Sequence, residues 1–154
     1  MATINATINV SSADLTSSPL ALSKTMTMTK AGTSTGLEFT SGLVRRKLTA
    51  KTAIDLVTVG AQMYGTPTAA GANKLYIKNT GSSSTDYVDI AIGSDNADAG
   101  EELLATTGNS KITLGKLFGG DWMLIPFQGS ANNDILAIPS TAEVTTIEWM
   151  LFFE

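Results

Sequence analysis

The chain has 154 residues, 43% of them hydrophobic and 16% charged, so it is long enough to bury a core and too apolar to be disordered. It contains neither cysteine nor histidine, which excludes disulfides, thiolate nucleophiles, imidazole bases and metal sites built on either side chain. The net charge of −4 argues against nucleic acid as a partner.

The chain is rich in threonine, serine, asparagine and glycine and has fewer charged residues than most proteins. Threonine is β-branched and suits a half-wet pleated surface, so this composition favours an all-β protein. No apolar run approaches the roughly 20 residues of a membrane span, and we expect no membrane contact. The N-terminal sequence lacks the basic and apolar regions of a signal peptide, so we expect assembly in a cytoplasm.

Residues 1–22 differ from the rest, because ATIN occurs twice in succession and a Ser/Thr-rich segment follows. Such a stretch buries little surface by itself, so we predict an extended arm that becomes ordered on a neighbouring subunit. Ile4, Ile8 and Val10 are apolar side chains of this arm and its candidate contacts. A first edge strand followed by a loop is the alternative.

From Lys24 onward the pattern alternates with period 2, which is typical of strands. The predicted strands cover residues 24–30, 37–39, 43–48, 53–59, 75–78, 87–92, 111–118, 122–127, 134–138 and 143–153. We expect 37–39 to pair with 43–48 as a hairpin around Ser41 and Gly42, and 75–78 to pair with 87–92.

The number and spacing of these strands predict one domain over residues 23–154, an antiparallel β-sandwich of the jelly-roll type. The absence of any long amphipathic pattern argues against helices. Pro126 removes a hydrogen-bond donor from its strand, which places that strand at a sheet edge or a bulge.

The final strand is apolar on both faces in its second half. Ile147, Trp149, Leu151 and Phe153 point one way and are predicted to face the core. Met150 and Phe152 point the other way with Glu148. We predict that Met150 and Phe152 form an oligomer interface; the alternative is that a loop or the N-terminal arm of the same chain covers them.

No residue pattern carries catalytic chemistry. Residues 32–36 match G-x-S-x-G, but that motif needs a histidine and a strand–turn–helix context, so we interpret it as a hairpin loop. Asp86 and Asp89 face opposite sides of a strand and form no glycosidase pair. The acidic loop at 95–102 could bind calcium, although its spacing fails the EF-hand pattern. We assign no catalytic, cofactor or metal residue.

Arg45, Arg46 and Lys47 form the one basic cluster. Such a cluster either protects a strand edge from unwanted pairing or docks on an acidic protein surface. Trp122 and Trp149 lie within apolar strands, so core or interface anchoring is favoured over sugar stacking.

Three segments carry a resemblance: KLYIKNTGSSSTDYVDIAIG from Lys74, ITLGKLFGGDWMLIPF from Ile112 and EVTTIEWMLFFE from Glu143. The series resembles small virion proteins of tailed bacteriophages, in which an IKNTG-type turn, a G-D-W/F-x-x-x-P strand and a T-x-x-E-x-x-L strand follow one another. It covers residues 74–154.

The resemblance implies a non-enzymatic capsid decoration (cement) protein without cofactors, on the outer capsid surface of the virion. Its expected partners are the major capsid protein and other copies of itself, with a trimer favoured. The capsid-docking candidates are Ile4, Ile8, Val10, Arg45, Arg46 and Lys47. The alternative is a tail, fibre or baseplate module that binds a receptor or carbohydrate, with Tyr64 as its candidate aromatic. A cellular surface-layer or pilus-like subunit is a third possibility.

Overall fold

A computed structural model describes residues 3–14, 20–29, 34–37, 39–48, 53–57, 72–93, 112–127, 134–140 and 145–153. These residues contain strands and no helix, and hence no helix able to cross a membrane. The strands are β1 (Asn5–Ser12), β2 (Leu20–Thr27), β3 (Phe39–Thr40), β4 (Val44–Leu48), β5 (Ile54–Val57), β6 (Ala72–Asn79), β7 (Tyr87–Gly93), β8 (Ile112–Phe118), β9 (Trp122–Pro126), β10 (Asp134–Pro139) and β11 (Thr145–Phe153).

The strands form three antiparallel sheets. β1 and β2 pair with each other, and a four-stranded sheet has the order β5-β10-β7-β8. The five-stranded sheet has the order β3-β11-β6-β9, and β4 also pairs with β11. The prediction of an all-β protein is therefore confirmed, with several antiparallel sheets.

The main hydrophobic core draws side chains from both larger sheets. Leu75 and Ile77 of β6 and Leu151 of β11 come from the five-stranded sheet, and Ile90 of β7 and Ile135 of β10 come from the four-stranded sheet; all five have no exposed surface. Alternate residues of each strand supply this core, because successive side chains of a strand point to opposite faces.

The predicted hairpin around Ser41 and Gly42 is wrong. β3 and β4 do not pair with each other, since both pair with the edge of β11 that β6 leaves free. Between them the Ser41 N–H donates to the Leu151 carbonyl over 3.0 Å, and the Leu151 N–H donates to Ser41 Oγ over 2.9 Å. Gly42 follows with φ of 73°, which favours glycine, so the segment bulges and continues along β11.

The predicted pairing of β6 with β7 is also wrong, because the two strands belong to different sheets. The crossing between the sheets is fixed at Asn79, which is 2% exposed. Its amide Nδ2 donates to the Leu117 carbonyl, and its Oδ1 accepts from the Gly81 N–H and the Thr145 hydroxyl. These bonds join β6 to β8 and β11, so the chain leaves β6 towards the other sheet.

β9 lies at an end of the five-stranded order, as Pro126 predicted. The N-terminal segment predicted as an arm contains β1, which pairs with β2 over eight residue pairs from Asn5–Thr27 to Ser12–Leu20. This matches the alternative of a first strand. The predicted boundary after residue 22 falls within β2, and the division into an arm and one domain stays a prediction.

Candidate functional site

The two-stranded sheet of β1 and β2, called the ribbon below, has one polar and one apolar face. On the polar face, paired side chains bond across the strands: Thr7 with Thr25 at 2.8 Å, Ser23 with Asn9 at 2.6 Å and Thr27 with Asn5 at 3.0 Å. These bonds fix the register, so every apolar side chain of the even-numbered positions lies on the other face.

The end of the apolar face that carries Val10, Leu20 and Leu22 is open to solvent. Ile8 is half-buried and lies opposite Lys24, while Val10 lies opposite Leu22. Four apolar side chains on this face are 41–52% exposed: Val10, Leu20, Leu22 and Met26. Exposed apolar side chains gathered on one face are typical of an interaction surface, although Lys24 also lies on this face.

The base of the ribbon packs on the rest of the chain. Ile4 and Ala6 contact a cluster formed by Met28, Leu37 and Phe152, which we call the outer cluster. The Met28 N–H donates to the Ile4 carbonyl over 2.8 Å and extends the ribbon pairing by one step. The outer cluster therefore holds the ribbon against the five-stranded sheet.

This packing bears on the predicted oligomer interface at Met150 and Phe152. Both side chains lie on the outer face of β11, as the alternation predicted, and both belong to the outer cluster. Phe152 is only 9% exposed, because N-terminal residues of the same chain cover it. The N-terminal cover named as the alternative is therefore present over Phe152. A role of Met150 and Phe152 between subunits stays a prediction.

On the outer face of the five-stranded sheet, the part beyond the outer cluster carries charged side chains. Cross-strand partners share a face, and one row runs Arg45, Glu148, Lys78 and Trp122 across β4, β11, β6 and β9. Lys47, two residues after Arg45, is exposed on the same side. We call Arg45, Lys47, Lys78, Trp122 and Glu148 the basic half-face.

Glu148 is the single carboxylate of this row and is 6% exposed. The Arg45 Nε donates to its Oε2 over 2.9 Å, and the Tyr76 hydroxyl donates to its Oε1 over 3.2 Å. Burial, followed by the nearby charge of Glu148, raises the pKa of Tyr76 above its ordinary value. The Arg45 side chain remains 67% exposed, so it contributes positive charge to the surface while it neutralises the buried carboxylate.

The structure divides the predicted basic cluster between two faces. Arg45 and Lys47 lie on the outer face, whereas Arg46 lies opposite Ile147 on the side that faces the core, exposed at the sheet edge. At most two of the three charges can address one partner, as the alternation predicts.

The two tryptophans have different environments. Trp149 is 6% exposed and belongs to the main core, as predicted. Trp122 is 52% exposed and lies outside the core, so of the two predicted roles, core or interface anchoring, the interface role stays a prediction. The sequence offered an indication of this exposure, because Pro126 predicted that the strand of Trp122 lies at a sheet edge.

Asp89 lies opposite Lys116, whose Nζ sits 3.9 Å from the centre of the Tyr87 ring. Burial raises the pKa of Asp89, and the Lys116 charge opposes that shift. Within the described ranges, no three His, Cys, Asp or Glu side chains could hold a metal ion together. Tyr64 and the acidic loop at 95–102 lie outside the described residues.

Comparisons of the chain with protein-family models, with curated proteins and with solved structures found no match.

Proposed function

We propose that the chain is a non-enzymatic structural protein of a phage virion, a cement protein that binds the outer surface of the head and bridges major capsid subunits. The resemblance of residues 74–154 to phage virion proteins supports this role. The single observation that carries it is the ribbon, which presents an apolar face that the described residues of its own chain cover only at the base.

The proposed fold of residues 44–153 is a jelly-roll sandwich. In a jelly roll of eight strands, the first, eighth, third and sixth form one sheet, and the second, seventh, fourth and fifth form the other. Counted from β4 to β11, the observed orders β4-β11-β6-β9 and β5-β10-β7-β8 follow that rule. A core shared by both sheets further supports two packed layers.

The ribbon is suited to docking because it gains little stability alone. An isolated two-stranded sheet is marginal in water and needs a third strand or a packed surface. Val10 and Leu22 pair across the exposed part of the apolar face. Burying such side chains on a capsid subunit contributes about 25 cal/mol per Å² of apolar area. Many such shallow contacts, repeated over a head, would resist the outward pressure of packaged DNA.

Binding to empty, expanded capsids tests the proposal. Wild-type protein should co-sediment with capsids at a fixed stoichiometry. The double variant Val10→Ser, Leu22→Ser should bind at least about 10-fold more weakly, because it removes apolar contact area from the exposed part of the ribbon. Thr25→Ala on the polar face is the matched control and should bind as the wild type does.

Absence of wild-type binding to capsids would refute the role, and equal binding by the double variant would refute docking through the ribbon. A glycan array and a pull-down with host cells test the alternative receptor- or carbohydrate-binding role. The cement role predicts no sugar affinity in either assay.

A further inference from the structure

Lys24 is the one charged side chain of the ribbon strands β1 and β2. Leu22 and Met26 stand two residues away from it on either side along β2, so the three share a face, and Ile8 lies directly opposite on β1. Leu22 and Met26 are 52% and 47% exposed, and Lys24 is exposed with them. A cation therefore lies among the side chains that the proposed docking would bury.

No carboxylate pairs with this cation among the described residues. Neither ribbon strand contains Asp or Glu. Asp14 follows β1, where it accepts a hydrogen bond from Ser12 Oγ over 3.1 Å. Ser12 lies four residues beyond Ile8, which is about 13 Å along the strand, so this carboxylate is remote from the middle of the ribbon. In the free chain the Lys24 ammonium is held by solvent alone.

Docking of the apolar face removes that solvent. A charge taken out of water costs more than the neighbouring apolar contacts contribute, unless an opposite charge and its hydrogen bonds replace the water. Asp and Glu are the side chains that supply a negative charge at neutral pH. An apolar surface without a carboxylate at this point would bind poorly, so the lysine discriminates between apolar surfaces that would otherwise be equivalent.

We propose that Lys24 selects the docking partner of the ribbon: the capsid surface bound there is apolar and carries one Asp or Glu carboxylate, which forms an ion pair with the Lys24 ammonium. The inference rests on the proposed function and deepens it, because it names the chemistry of the partner surface. Val10 and Leu22 supply apolar contact on one side of the ion pair, and Met26 supplies it on the other.

A lysine on an edge strand can also protect that edge from unwanted strand pairing. The two roles predict opposite effects when methionine replaces Lys24. A protective lysine is dispensable for docking, and methionine adds apolar area, so binding would stay the same or tighten. A pairing lysine is required, because its loss leaves the partner's carboxylate buried and unpaired, so binding would weaken.

Co-sedimentation with empty, expanded capsids separates these roles. Lys24→Met should bind at least about 10-fold more weakly than the wild type. Lys24→Glu should bind more weakly still, because it brings two carboxylates together, whereas Lys24→Arg keeps the charge and should retain binding. Lys116→Met removes an exposed lysine from the four-stranded sheet and is the matched control, which should bind as the wild type does. Thermal denaturation checks that all four variants fold.

Zero-length cross-linking with a carbodiimide adds a readout that a protective role would not produce. The reagent joins an amine to a carboxylate only where the two groups touch, so we expect an amide bond between Lys24 and an Asp or Glu of the major capsid protein. Lys24 is the first lysine or arginine of the chain and Lys30 is the next, so trypsin releases the cross-linked segment as residues 1–30. Fragment ions distinguish Lys24 from the N-terminal amine.

Binding by Lys24→Met that equals or exceeds that of the wild type would overturn the inference, as would cross-links to the capsid that all avoid Lys24. The cement role would stand in both cases, because wild-type binding and the double variant Val10→Ser, Leu22→Ser test it separately. Absence of wild-type binding would refute the cement role and the inference together.

Discussion

Glu148 is held in place by two side chains that the sequence separates widely, Arg45 and Tyr76. A buried carboxylate is stable only where hydrogen bonds and an opposite charge replace its water. Because Arg45 supplies the opposite charge, it stabilises the buried carboxylate while much of its own side chain stays exposed.

Arg45→Ala should therefore destabilise the fold by about 1–3 kcal/mol, since it leaves a buried acceptor without its charged partner. Arg46→Ala is the matched control, because its exposed side chain points to the other side of β4, and it should change stability by less than about 0.5 kcal/mol. Urea denaturation measures both. Equal effects of the two substitutions would contradict the structural role of Arg45.

Tyr76 makes the stability of the folded protein depend on pH in the alkaline range. Its pKa in the folded protein is raised above the ordinary 10.0 by burial and by Glu148, so above pH 10.0 the unfolded chain releases a proton that the folded state keeps. The contribution of Tyr76 is complete below pH 10.0 and is lost as pH rises towards the folded pKa. Melting temperatures followed across this range should fall more steeply for the wild type than for Tyr76→Phe; parallel curves would contradict the account.

Sequence alternation predicted residue faces well where strands are long. It placed Ile147, Trp149, Leu151 and Phe153 in the core and Met150 and Phe152 on the outer face. It could not predict that Phe152 is covered or that Glu148 is paired, because these depend on residues more than 70 positions away in the chain, such as Tyr76 and Met28.

Among elements, the positions of the strands were predictable and their partners were not. The segments predicted at 43–48, 87–92 and 122–127 correspond to β4, β7 and β9 within a residue or two. Both predicted hairpins failed, because period-2 patterning specifies a strand and says nothing about which edge it joins. β3 and β4 joined β11, and β6 and β7 joined different sheets.

The turn from β8 to β9 shows how tightly such a crossing is built. A Cβ at Gly119 would lie 2.6 Å from the Ser83 carbonyl oxygen and 2.8 Å from that of Gly81, and both are backbone atoms that cannot move away cheaply. Gly119→Ala should destabilise the fold by about 1–3 kcal/mol through this overpacking.

Gly115→Ala, in β8, is the control for that substitution. A Cβ there would lie 3.7 Å from Met123 Cε, which is an ordinary contact, so it should be neutral or stabilise by up to about 1 kcal/mol. Thermal or urea denaturation of the Gly119→Ala and Gly115→Ala variants measures the difference in their stability. Equal stability of the two variants would contradict the close approach of the turn to Ser83.

At the scale of the whole molecule, the ribbon and the basic half-face are two separate surfaces that the described residues leave uncovered. The ribbon presents an exposed apolar face, and the half-face presents charge and one exposed tryptophan. This division of surfaces is the physical basis of the proposed structural role.

A cryo-EM map of the intact phage particle tests that role most directly. The account predicts density for this chain on the outer surface of the head, with the apolar face of the ribbon, at Val10 and Leu22, lying against a major capsid subunit. Density for the chain in the tail, or on the head with that face turned to solvent, would contradict it.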